Sequence, residues 1–199
     1  DASLDIVAGG LILNAQATGT PVAPLQTSLA TLTAVSTQGD LYLQETDGVT
    51  VLSATATAAG GDVGITTLVG NLLVHSIQAS GLVTLVATSG SVLPGGSLPV
   101  HITATNLEIQ AATGIGSPGT PLSTVVQKLE AAGGSGGVFV ANTGNLQIGG
   151  ISPSLLGLTG LSASGSDIVL VVTGDLSVVE NITTTGAGAI NLLAQRALS

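Results

Sequence analysis

Residues 62–79 read DVGI, NLLV and SIQA, three short segments in which apolar positions alternate with polar or small ones, parted by Gly, Asn and Ser. Alternation with a period of two sends successive side chains to opposite faces of a strand. The residues between the segments are turn formers. Strand-like cores recur at Leu11, Leu41, Val63, Val83, Leu107, Val138, Ile168 and Ile190, in steps of 30, 22, 20, 24, 31, 30 and 22 residues. Three short strands in a step of that length describe one coil of a three-sided parallel β-helix (β-solenoid). The pattern therefore predicts an all-β rod of about eight coils, ~40 Å long at ~4.8 Å per coil. Leu41, Leu43, Val63, Ile65, Val83, Leu85, Val138, Val140, Ile168 and Leu170 are expected to stack as inward aliphatic ladders. Asp62, Gly64 and Thr66 then face outward.

The chain also resembles itself. PLQTSLATLTAVSTQGDLYLQETDGVTV (24–51) aligns with PLSTVVQKLEAAGGSGGVFVANTGNLQI (121–148) at a constant offset of 97. Leu25 meets Leu122, Leu41 meets Val138 and Val51 meets Ile148, and the only two aromatic residues, Tyr42 and Phe139, coincide. Flanking segments match at offsets of 96 and about 105, which places an insertion of eight residues in the second copy. This reading divides one continuous solenoid into repeat units at 1–97 and 98–199, with the insertion near 152–161. SPSLLGLTGL there is expected to be a longer turn packing back on the coil. Only STVVQKLEAA (123–132) carries a helix-like pattern, although its counterpart TSLATLTAVS reads as strand.

Composition sharpens the picture. Hydrophobic residues make up 44% of the chain but aromatics only 1%. A β-sandwich core normally includes large aromatics, whereas a narrow stacked bore takes mid-sized aliphatics. Two Lys/Arg against eleven Asp/Glu give a net charge of -9, which argues against nucleic-acid binding and adhesion to anionic lipid. No cysteine is present, in keeping with a chain that crosses an envelope unfolded. Apolar runs end long before ~18 residues, and the aromatic girdles of a membrane barrel are missing, so no membrane insertion is expected. No basic segment followed by an apolar one opens the chain, so the numbering is expected to begin inside a mature product.

GDLYLQETDGVTV, GGDVGITT, SGLVTLVATSGSV, NLEIQAATGIGSPGTPL and ENITTTGAGAINLLA resemble the repeats of large bacterial exoproteins of the filamentous-haemagglutinin group. The resemblance spans essentially the whole chain, though each phrase is low in information. It implies a right-handed parallel β-helix, secretion through an outer membrane, and a role as adhesin, surface fibre or matrix component.

Catalytic chemistry finds little to work with. β-Helical lyases need a carboxylate cluster for calcium with Arg or Lys as base. Here Arg196 lies among the last residues, and Lys128 has the uncharged Thr31 as its counterpart. Hydrolases need paired carboxylates from adjacent coils. Asp40 and Asp62 open strands of consecutive coils and read as turn residues there. Glu45 and Asp47, in QETDG, are the weak calcium candidates, read as a solvated turn. His75 and His101 are far apart and read as exposed or simply satisfied. Threonine pairs such as Thr31/Thr33 and Thr103/Thr105 belong to different segments and do not make one ice-ordering array.

The expectation is a non-enzymatic structural or adhesive segment of a secreted bacterial cell-surface or extracellular-fibre protein, without a catalytic or cofactor site. The alternative is a self-assembling extracellular filament subunit. A carbohydrate-active enzyme is the third class. Neither end shows an obvious cap, so the expected partners are copies of the chain or neighbouring segments, joined through the coil ends. A cell-surface or carbohydrate ligand on the lateral faces is the further expectation.

Overall fold

Val, Ile, Leu and Thr suit a pleated, half-buried surface, and here coil upon coil supplies that surface. The computed structural model describes residues 3–199 and has no helix among them. It is a parallel β-solenoid of about nine turns. Asp1 and Ala2, at the start of the first segment, lie outside the described residues. Among the described residues no helix is long and apolar enough to cross a membrane.

Three ladders run along the rod. The first links Leu41, Val63, Val83, Leu107 and Leu129, with Leu43, Ile65, Leu85 and Ile109 two residues on in the same strands. The second links Val49, Leu72, Val92, Ile115, Val138 and Ile168. A third runs from Leu13 through Ala34, Ala54, Ile77, Ile102 and Thr124 to Asn142. All ten residues predicted as inward rungs are 0% or 1% exposed. Burying each such side chain contributes about 1.5–3 kcal/mol, so the aliphatic bore is the main source of stability.

Two expectations change. Val138 is not the next rung after Leu107; Leu129 is, 22 residues on, and Val138 stands on the neighbouring ladder. An offset of 97 residues is therefore not a whole number of coils. The straight strand Gly137–Asn142 stacks over the split pair Gly114–Ile115 and Leu122–Val125. In turn the split pair Leu146–Ile148 and Leu161–Ser164 stacks over the straight Lys128–Gly133. Segment 123–132 forms strands Leu122–Val125 and Lys128–Gly133, not a helix. Its full register with Asn106–Ala111 overrides a helical pattern that only one pair of charges supported.

Turns are secured by side chains that reach one coil onward. Asp40 Oδ1 accepts from Asp62 N at 3.0 Å, Asp62 Oδ1 from Leu82 N at 2.7 Å, and Asn71 Oδ1 from Ser91 N at 2.9 Å. Asn145, Asp167 and Asp175 do the same for the N–H groups of Asp175, Ala189 and Ala197. Asp40 and Asp62 therefore act as turn residues in the fold.

Candidate functional site

The feature that departs from a plain rod is a strap, residues 149–160, which leaves the coil between strands Leu146–Ile148 and Leu161–Ser164. It opens directly after Ile148, the counterpart of Val51. At that place the first copy has only a one-residue bulge at Leu52, between the rungs Leu32–Val51 and Thr33–Ser53. The strap folds back over the outer face of the first ladder, as the longer-turn reading expected.

Three glutamates hold it by its backbone. Glu180 Oε1 accepts from Gly150 N at 3.0 Å and Oε2 from Gly160 N at 2.7 Å, pinning both ends. Glu130 Oε1 accepts from Ile151 N at 2.9 Å. Glu108 Oε2 accepts from Leu155 N at 3.0 Å and Leu156 N at 3.2 Å. Lys128 Nζ donates to Gly150 O at 2.6 Å. Gly160 has φ +67°, and a Cβ there would also run into Asn181 O, so only glycine lets the strap rejoin the coil.

Beneath the strap lies one outward row of the first ladder. In register from coil to coil it runs Tyr42, Gly64, Thr84, Glu108, Glu130. Strand alternation aims these side chains away from the bore, yet Glu108 and Glu130 are 0% and 1% exposed because the strap covers them. Burial is the main reason the Glu130 carboxyl is pushed above the usual carboxylate range; Glu180 and Glu108 push the same way, while Ile151 N–H and Lys128 oppose. Asp62 is also raised, chiefly by burial. The Tyr42 ring lies across Gly64, its hydroxyl 3.4 Å from Asp62 Oδ2, and burial raises its pKa. A groove of about 530 Å³ separates the strap tip, Leu155 and Leu156, from the loop bearing Pro21 and Val22; Tyr42, Gly64 and Thr84 line it.

The other candidates fall elsewhere. Glu45 is not part of a solvated turn: it is two residues beyond Leu43, so alternation turns it inward, where it is 0% exposed. Its carboxylate accepts from Thr27 Oγ1 at 2.7 Å and Leu29 N at 2.8 Å, and burial raises its pKa against those hydrogen bonds. Asp47, in contrast, is exposed. Among the described residues no group of three or more His, Cys, Asp or Glu converges as a metal site. His101 is buried; its Nδ1 accepts from Ser123 N at 3.2 Å and its Nε2 lies 3.0 Å from Gly96 O, which makes Nε2 the protonated nitrogen. The His75 ring packs beside Gly95 and Gly96. A larger hollow of about 670 Å³ lies near Gln127, Asn145 and Asp175, where Asn145 and Asp175 already hold coil-to-coil backbone bonds.

Reading by sequence missed Glu108 and Glu130. Each has the form apolar–Glu–apolar on consecutive coils, LEI and LEA, and that shared spacing was the available signal. Comparison with protein-family models, curated proteins and solved structures finds no match to this chain.

Proposed function

We propose that the chain is a non-enzymatic rod segment of a secreted bacterial surface or extracellular-fibre protein, joined coil on coil to further coils at its ends. The observation that supports this reading is the state of the terminal coils. Strand Ile6–Ala15 pairs with strand Leu25–Ser36 on one edge only. Its Leu11 and Leu13, which alternation turns toward the bore, are only partly buried, whereas their register partners Leu32 and Ala34 one coil on are 0% exposed. At the other end Ile190, in register with the fully buried Ile168, is 41% exposed. An open edge of unpaired N–H and C=O groups over a half-covered apolar bore is a template for another strand. Resemblance to exoprotein repeats supports the extracellular setting, and the carboxylates that hold turns and strap have structural work that needs no substrate.

The edges equally suit a filament subunit made of copies of this chain. Sedimentation velocity on the wild type and on L11K/L13K, which puts two charges into the open mouth, tests the reading. Association that grows with concentration in the wild type and vanishes in the variant supports coil-on-coil joining. A wild type that stays monomeric across the range contradicts it.

The groove beside Tyr42 supports an adhesive component. Its Tyr, Gln26, Gln44 and Thr66 suit a carbohydrate ligand, and glycan-array binding that is lost in Leu156→Asp is the corresponding test.

A further inference from the structure

Under the strap, three consecutive rungs of one outward row each hold an oxygen that is buried and without a hydrogen-bond partner. These are Thr84 Oγ1, Glu108 Oε1 and Glu130 Oε2. Asn106 Oδ1, two residues from Glu108 on the same face of its strand, is a fourth. Thr84 is 7% exposed. The second oxygen of each glutamate is occupied by strap N–H groups, so the free oxygens are not spare solvent-facing positions. Glu108 and Glu130 stand on adjacent rungs, ~4.8 Å apart along the backbone, and their buried carboxylates repel each other and lack their hydration. Lys128 offsets part of that cost for Glu130, but its ammonium donates to Gly150 O, and Glu180 adds a further negative charge nearby. A pair of this kind needs positive charge between its members.

We infer that Glu108 and Glu130, with Thr84 beside them, hold a calcium-class divalent cation beneath the strap. The donors are all oxygen, the preference of a hard cation, and calcium accepts irregular geometry with bonds of ~2.3–2.6 Å. The ion would lock the strap by fixing both carboxylates in place as acceptors for the N–H groups of Ile151, Leu155 and Leu156. This inference does not rest on the end-to-end reading above.

The test is calorimetric titration of calcium into the whole, chelator-stripped chain at pH 7, alongside thermal unfolding with and without the ion. One ion per chain is expected, with a rise in Tm. E108Q and E130Q, which keep the shape and the strap hydrogen bonds, should each weaken binding at least about tenfold while circular dichroism stays unchanged. E45Q and D47N should leave affinity as it was. No saturable heat and no Tm shift up to about 10 mM calcium, or binding that survives E108Q/E130Q together, overturns the inference. So does a wild type that ignores calcium yet gains its stability on acidification through these two residues, which would make the occupant a shared proton.

Discussion

Glu45 and Asn142, 97 residues apart, fill equivalent corners of the two copies, on different ladders of the rod. Glu45 accepts from Thr27 Oγ1 at 2.7 Å and Leu29 N at 2.8 Å; Asn142 accepts from Thr124 Oγ1 at 2.8 Å and Val126 N at 3.0 Å. Gly19 and Gly116 match likewise, with φ of +63° and +60° and a Cβ position blocked by Tyr42 O and by Phe139 O. The corner requires an acceptor, and it accepts a neutral one. Glu45→Gln should therefore leave stability unchanged or raise it slightly at pH 7. Glu45→Ala, which strands the Leu29 N–H and leaves the Thr27 hydroxyl only the longer bond to Gln44 O, should cost about 1–3 kcal/mol. Urea unfolding of the two variants checks this, and equal losses would contradict it.

Acidification should stabilise the fold. Glu45, Asp62 and Glu130 all have carboxyls raised by burial above their ordinary values of 4.5, 3.8 and 4.5. Between the ordinary and the raised values the folded chain binds more protons than the unfolded one, so unfolding free energy falls as pH rises through that window. Tm in metal-free buffer should be higher at pH 5 than at pH 7.5, and the difference should shrink in Glu45→Gln. A lower Tm at pH 5 would refute the assignment.

Gly64 is required by its neighbour. A Cβ there falls on the Tyr42 ring, so Gly64→Ala should destabilise by about 1–3 kcal/mol through overpacking. Adding Tyr42→Ala removes the obstacle, and the double variant should be more stable than the two single losses predict. Strict additivity would mean that the ring does not depend on the glycine.

Glu180 pins both ends of the strap, so Glu180→Ala should free it without melting the bore. Amide exchange in residues 150–160 should accelerate at least about tenfold, because two charge-assisted hydrogen bonds are lost, while Val63 and Leu85 remain protected. Unchanged exchange in the strap would show that Glu108 and Glu130 suffice to hold it.

How far the sequence could be read follows from which interactions are local. Alternation in DVGI and LYLQE was enough to aim Leu41, Leu43, Val63 and Ile65 inward, because period two is a property of each strand alone. The same rule, carried one step past Leu43, turns Glu45 inward; its charge and the following turn residues concealed this. The ladder switch between Leu107 and Val138 depends on counting whole coils, and the helix-like reading of KLEAA hid the rung at Leu129 that stands between them. Burial of Glu108 and Glu130 is non-local: a strap departing 40 residues after Glu108, at Ile148, covers them. No pattern within either strand encodes that.

The most direct test of the account is negative-stain electron microscopy of the chain at increasing concentration. Open edges at both ends predict linear assemblies one coil wide, lengthening with concentration and shortening to single rods of ~40 Å in L11K/L13K. Single rods of wild type at every concentration, with ends that never meet, would contradict it.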